Sequence, residues 1–176
     1  IGEAAFARCT NLTKVDFDPH SELHTIEKDA FLGTSIEYFY IPSNLKNFKG
    51  GWCRKMNYLR NVTISPNNKY FVVFENKMII GKTNIEDEIY NTLYFVSYNV
   101  NNFDMPSFIR KINDRALDNC QFLSTVSFTD DSKLEIIGKY AFPSSITDIR
   151  IPKSVTTIDG NCFEYCQELQ KFSLEE

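Results

Sequence analysis

The chain has 176 residues, with 19 basic and 23 acidic side chains and a net charge of −4; 43% of it is hydrophobic and 24% charged. That is the balance of an ordinary folded protein, and one domain or one repeat array over residues 1–176 is expected from the length. No Lys/Arg cluster supplies the basic face that nucleic-acid binding needs, and no apolar run approaches the roughly 20 residues of a membrane-spanning helix; the best, Tyr70 to Phe74, is strand-sized.

From its first residue the chain repeats. Ile1 and Phe6, five positions apart, return as Ile26/Phe31, Phe48/Cys53, Ile112/Leu117, Ile137/Phe142 and Ile158/Phe163. An apolar triplet spaced L-x-x-L-x-L follows each pair: Leu12/Val15/Phe17, Ile36/Phe39/Ile41, Leu59/Val62/Ile64, Leu123/Val126/Phe128, Ile146/Ile149/Ile151 and Leu169/Phe172/Leu174. A seventh triplet, Val100/Phe103/Met105, has the same spacing without the Phe half before it. The middle members stand at 15, 39, 62, 103, 126, 149 and 172, so the steps are 24, 23, 41, 23, 23 and 23 residues; one turn carries an insertion.

This register describes a solenoid. Alternation such as Val15-x-Phe17 is a short strand with one buried face. A single coil cannot bury its few apolar residues alone, and stacking joins them into one column. Seven parallel ladder strands are therefore expected, with the I-x-x-x-A-F-x-x-C half crossing back as a short helical or 3₁₀ turn. Ala5, Ala30, Ala116 and Ala141 recur at one position, where a small side chain lets coils approach. Short connections carry Pro42, Pro106 or Pro152 straight after the strand, which ends the ladder. Longer ones, from Pro19 and Asp131, place Ser21/Leu23 and Ser132/Leu134 at matching offsets. In the insertion, 65–99, two apolar runs flank Glu75-Asn76 as a β-hairpin, Leu93–Tyr98 is a candidate third strand, and Asn84 to Glu88 reads as an exposed loop.

The pattern I-x-x-x-A-F-x-x-C-x-x-L-x-x-[VI]-x-[FI]-P over residues 1–64 and 100–176 resembles the BspA-like leucine-rich repeats of surface proteins from host-associated bacteria and parasitic protists. The insertion resembles the N-x-x-[FY] hairpin elaboration of that family. Trp52-Cys53 departs from Ala-Phe, and Thr34, Leu117 and Cys162 depart at other register positions. The resemblance implies a leucine-rich-repeat solenoid, a β-rich right-handed horseshoe, that binds partner proteins. It implies a cell-surface or secreted, adhesin-like setting, with matrix or serum proteins such as fibronectin and fibrinogen as ligands, and it carries over no catalytic residue and no cofactor.

Five cysteines leave at least one thiol unpaired. Cys9, Cys120 and Cys166 share one register position, Cys53 replaces a Phe and Cys162 an Ala, so all five read as buried free thiols in core slots. His20 and His24 are four apart, a metal-binding spacing on a helix, but they align with Asp131 and Glu135 in a solvated connection. Glu86, Asp87 and Glu88 read as a solvated loop rather than an acid/base pair. Asn11 and Asn61 head N-x-T sequons, which count only in a eukaryotic secretory route. The informative surface is the concave ladder face. If the triplets point inward, Lys14, Tyr38, Asn61, Asn102, Thr125, Asp148 and Lys171 form one outward column, and Asp16, Tyr40, Thr63, Asp104, Ser127, Arg150 and Ser173 the other. Tyr38 and Tyr40 favour a protein-binding role there, because exposed aromatics anchor interfaces.

The chain starts on Ile1 without Met and starts and stops inside a repeat, so a fragment of a longer array is expected, with end-to-end association through unpaired terminal strands. Three functional readings follow: a surface adhesin module, a cytoplasmic scaffold using the same face for an internal partner, and an enzyme with its site in the insertion. The first is preferred.

Overall fold

A computed structural model describes residues 1–18, 20–84 and 86–175. Pro19, which begins the first long connection, Ile85 of the acidic loop and Glu176 lie outside the described residues. The strands are β1 (Thr25–Ile26), β2 (Tyr38–Ile41), β3 (Asn47–Phe48), β4 (Asn61–Ile64), β5 (Phe71–Phe74), β6 (Met78–Gly81) and β7 (Thr92–Val96), then β8 (Asn102–Asp104), β9 (Lys111–Ile112), β10 (Thr125–Ser127), β11 (Ile136–Ile137), β12 (Asp148–Ile151), β13 (Thr157–Ile158) and β14 (Lys171–Leu174). They form a β-solenoid with two ladders. The front ladder contains β2-β4 and β8-β10-β12-β14, all parallel; the back ladder contains β1-β3 and the series β5-β6-β7-β9-β11-β13.

The front ladder keeps the register of the repeat. Asn102, Thr125, Asp148 and Lys171 are paired in line, as are Phe103, Val126, Ile149 and Phe172. Six of the seven triplets contribute to these strands; Leu12, Val15 and Phe17 pack against the core without entering a strand. Numbering the coils by their triplets in chain order, the one built on Phe103 is coil four.

The crossing half of each coil differs from expectation. Among the described residues there is no helix. After the first unit, whose Ile1 lies in no strand, the Ile of the I-x-x-x-A-F unit ends a two-residue back-ladder strand, as in β1, β9, β11 and β13. The corner that follows is a stack of turns in which backbone N–H groups alternate in duty. In coil two, Ala30, Leu32 and Thr34 donate within the coil to Glu27, Asp29 and Phe31, while Phe31 and Gly33 donate onward to Trp52 and Arg54. A helix would aim every N–H along its own axis; alternation lets each corner bond its neighbour as well. The reversal is made by a residue of positive φ immediately before the Ala position: Ala4, Asp29, Gly51, Arg115, Tyr140 and Asn161, one in every corner. It is the third residue of a four-residue turn, the place where a type II turn requires positive φ.

Connections follow the sequence signals. Pro42, Pro106 and Pro152 each accept a hydrogen bond from the N–H three residues on, closing a turn where the front strand ends. Ser21 and Ser132 each accept the N–H of Leu23 and Leu134 on their hydroxyls, which explains the matched offsets.

Residues 65–99 divide the interior. β5 and β6 are an antiparallel hairpin whose turn residues Glu75 and Asn76 both have positive φ, as primed hairpin turns demand. β7 runs antiparallel to β6 and parallel to β9, with Leu93 opposite Ile112. Leu93 thus takes the back-ladder position of coil four, whose Phe half is missing from the sequence. The whole of β6 is buried. Met78 and Ile80 belong to the core of coils four to seven, and Ile79 to the core of coils one to three. β7 does the same, with Leu93 and Val96 on one side and Phe95 on the other. The hairpin is a wall with a core on each face.

Coil four also lacks a corner, so the corners of coils three and five meet directly. Asn119 accepts the Lys55 N–H at 3.0 Å and donates to the Cys53 carbonyl at 2.8 Å. A Cβ on Gly50 would stand 2.5 Å from the Cβ of Asp114, so this approach admits only glycine. Trp52 and Cys53 exchange the usual small and large residues, and the buried indole fills the space between Phe39, Phe48 and Phe95 with ring centroids 4.8, 4.7 and 6.2 Å away.

Candidate functional site

The front ladder positions the two predicted columns. Inward members of β2, β8, β10 and β12 are buried while the alternate residues turn toward solvent, the ordinary consequence of a two-residue side-chain period; on β14 the inward Phe172 and Leu174 are themselves exposed. Tyr38 stands opposite Asn61 and Tyr40 opposite Thr63. Asn102, Thr125 and Asp148 form one run, and Asp104, Ser127, Arg150 and Ser173 another. Lys14 and Asp16 lie beside Tyr38 and Tyr40 around one shallow recess.

The face is not continuous. β4 and β8 belong to different sheets, and between Asn61 and Asn102 the hairpin intrudes with Asn76 and Lys77. A narrow cleft lies between β4 and the hairpin, lined by Val62, Ile79 and Phe95. The two parts of the front ladder differ in chemistry. On the β8–β14 side the polar groups are largely spent on one another. Thr125 donates to Asn102 at 2.7 Å, Ser127 donates to Asp104, Lys171 pairs with Asp148 at 3.6 Å and Arg150 with Glu175 at 3.1 Å. Such exposed pairs add little stability, each about 0–1 kcal/mol. The β2–β4 side carries the aromatic surface, with Tyr38 62% exposed and Tyr40 half-buried.

The cysteines are all unpaired. Cys53, Cys120 and Cys162 are buried and Cys166 half-buried, in the core slots expected. Cys9 is a correction: it is exposed, because coil one is covered on one side only. Burial pushes the Cys120 and Cys162 thiols up to about 12 and Cys166 up to about 11. Nearby Asp118 adds to the effect at Cys120, and its own carboxyl is raised by burial despite Arg115 at 3.1 Å. These thiols stay protonated at neutral pH and are poor nucleophiles.

His20 and His24 are both exposed, and the His24 carbonyl accepts the N–H groups of Lys46 and Asn47. No group of three His, Cys, Asp or Glu side chains able to hold a metal occurs among the described residues. Asp87 accepts the Asn84 N–H at 2.9 Å, so it serves the turn of its own loop. Of the two sequon asparagines, Asn11 lies exposed in a turn and Asn61 exposed on β4.

The sequence reading missed Tyr58 and Phe122, both largely exposed. The signal was available: each is an aromatic one residue before the first triplet member, where other coils carry Asn11, Ser35 or Ser145.

The repeat unit itself decides the family. The BspA-type leucine-rich repeat region matches in six copies over residues 1–92 and 83–176, and six is also the number of turn corners. The chain belongs to the BspA-type leucine-rich-repeat family. No curated protein matches it. Among solved structures it is similar to a leucine-rich repeat protein from Eubacterium ventriosum, at 21% identity and TM-score 0.77 over 98% of this chain and 44% of that one. It is also similar to the pneumococcal vaccine antigen PcpA, at 18% identity and TM-score 0.73 over 99% and 48%. A leucine-rich cell surface protein from Faecalibacterium prausnitzii follows, at 20% identity and TM-score 0.66 over 99% and 56%. The chain thus spans about half the length of these proteins, and likeness at this identity speaks for the fold. The BspA-type repeat accounts for the buried cysteines as rungs, and leaves the outward columns and the exposed aromatics as the residues without a folding duty.

Proposed function

We propose that the chain is a non-catalytic protein-binding module of a cell-surface or secreted, adhesin-like protein, and that it holds its ligand on the front ladder. The observation that carries this reading is the Tyr38–Tyr40 surface on β2, two aromatic side chains with no core partner beside a recess rimmed by Lys14 and Asp16. Aromatic side chains bring large contact area at little entropic cost and dominate interface energetics. Lys14, Asp16, Asn61 and Thr63 extend the surface on one side of the hairpin; Asn102, Asp104, Thr125, Ser127, Asp148 and Arg150 extend it on the other. Two solved proteins of the same fold are described as a cell surface protein and as a vaccine antigen, which supports a surface setting and makes host matrix and serum proteins the first ligands to test.

A second reading is a cytoplasmic scaffold that binds an internal partner through the same face. The five unpaired thiols favour it, since reducing compartments keep cysteines free.

Labelling intact source cells with a membrane-impermeant reagent, then immunoprecipitating the protein, separates the two. Labelled protein is the expected result; unlabelled protein beside a labelled surface control moves the ligand inside the cell. With a ligand in hand, Tyr38→Ala combined with Tyr40→Ala should weaken binding about tenfold or more and leave the melting temperature nearly unchanged. Unaltered affinity would remove the aromatic surface from the interface.

A further inference from the structure

The shoulder between the turn corners and the front ladder carries aromatic rings that serve no core. Tyr58 and Phe122 are each 58% exposed. They occupy equivalent positions on coils three and five, which are brought together by the missing corner of coil four: Gln121 Nε2 donates to Asn57 Oδ1 at 3.0 Å. Tyr98 enters where coil four begins. Its ring meets Phe122 edge-on with centroids 5.8 Å apart, and its hydroxyl donates to Gln121 Oε1 at 3.2 Å. Asn99, the next residue, is exposed at the same register position as Tyr58 and Phe122. Asn57, Tyr58, Tyr98, Asn99, Gln121 and Phe122 are all uncharged, in a chain where 24% of residues carry charge.

We propose that this shoulder is a second binding site, and that its ligand is a neutral oligosaccharide. A pyranose ring has an apolar face of C–H groups that lies flat on an exposed aromatic ring, and a rim of hydroxyls, each both donor and acceptor. A side-chain amide offers both functions at once, and Asn57 and Gln121 hold each other in place before any ligand arrives, which lowers the ordering cost of binding. The absence of a formal charge among the six side chains gives an ionic ligand nothing to pair with. The patch is separate from the Tyr38–Tyr40 surface and does not depend on it.

Saturation-transfer NMR on the intact chain tests the assignment. The probes are tetrasaccharides of β-1,4-linked glucose, β-1,4-linked N-acetylglucosamine and α-linked mannose, with a sulfated heparin tetrasaccharide for comparison, each at about 5 mM to reach weak binding. The expected result is transfer from aromatic protons to at least one neutral tetrasaccharide. Tyr58→Ser with Phe122→Ser should lower its affinity about tenfold or more. Tyr58→Phe should retain it, and Tyr38→Ala with Tyr40→Ala should leave it unchanged. Because both rings are exposed, a thermal melt of the double serine variant should match the parent. No transfer to any neutral probe, transfer to the sulfated probe alone, or binding indifferent to the serine variant overturns the proposal. So does loss of a protein ligand in that same variant, which would make the shoulder part of a protein interface.

Discussion

Asn68 shows how much one side chain can hold. It is buried, 8% exposed, and all of its amide capacity is used. Nδ2 donates to the carbonyls of Pro42 and Leu45 at 2.8 and 2.9 Å, and Oδ1 accepts the N–H groups of Tyr70 and Phe71 at 2.8 and 2.9 Å. It therefore ties the start of the hairpin to the coil before it. Asn68→Ala takes a partner from four backbone groups, of which the Pro42 carbonyl keeps the Leu45 N–H, and urea titration should show a loss of about 3 kcal/mol; a loss below about 1 kcal/mol would mean that water replaces the amide. The thiols yield a second residue-scale prediction. Native protein treated with iodoacetamide should gain one adduct, at Cys9, and five after unfolding. The raised thiols also set an alkaline limit. Below an ordinary thiol value near 9 both folded and unfolded chains are protonated; above it the unfolded chain loses protons that the folded chain keeps until about 12. Stability is full below that lower value and should fall as pH rises through the interval. A melting temperature flat from pH 8 to 11 would contradict this.

Among the elements, β6 of the hairpin is decisive because both of its faces are interior. A strand buried on both faces reads as a continuous apolar run, and Met78-Ile79-Ile80 is one. Ile79→Ala and Phe31→Ala test two kinds of burial. Phe31 is a rung inside the first core, stacked on Phe6 at 5.3 Å and edge-on to Phe39 at 5.4 Å, and its loss should cost about 3–5 kcal/mol. Ile79 belongs to the same core but sits on the strand whose next residue, Ile80, belongs to the other core. Its truncation should cost about 2–5 kcal/mol and loosen both. Hydrogen exchange would show this as faster exchange in β7 and β9 as well as in coils two and three. Faster exchange confined to coils two and three would mean that the wall does not couple the cores. The corners carry the other element-scale requirement, an αL residue per coil. Only Gly51, Asn161 and Asp29 are residue types that advertise it; Arg115 and Tyr140 adopt it because stacked neighbours hold them there, with the Arg115 guanidinium 4.1 Å from the Tyr140 ring centroid.

At the scale of the molecule, two stacks of coils are joined twice: through the hairpin wall, and through the corner contact of coils three and five, where Arg54 and Arg115 both reach Asp118. Repeat arrays unfold as chains of nearest-neighbour units, and a weak junction would give two transitions. The two connections predict a single equilibrium transition in urea, coincident by circular dichroism and by fluorescence of Trp52, which sits in the first core. Separate midpoints would show that the stacks are independent. The broken front ladder separates an aromatic surface on β2 and β4 from a hydrogen-bonded polar surface on β8 to β14.

The solenoid, the register of every front strand, the inward and outward columns and the hairpin were legible in the amino-acid sequence, because stacking demands the same residue type at the same position every 23 residues or so. The matched Ser–Leu connections and the proline stops were legible for the same local reason. What the repeat does not encode is where its exceptions go. The helical crossing was a fair expectation from I-x-x-x-A-F, and the stacked turns replace it because alternate N–H groups find partners on the neighbouring coil, which no single coil reveals. The missing half of coil four, the exchange at Trp52 and Cys53, the exposure of Cys9 and the gathering of Tyr58, Tyr98 and Phe122 all depend on which coils touch. Periodicity determines what each coil must bury; only the three-dimensional stacking of coils 64 residues apart decided what they leave uncovered.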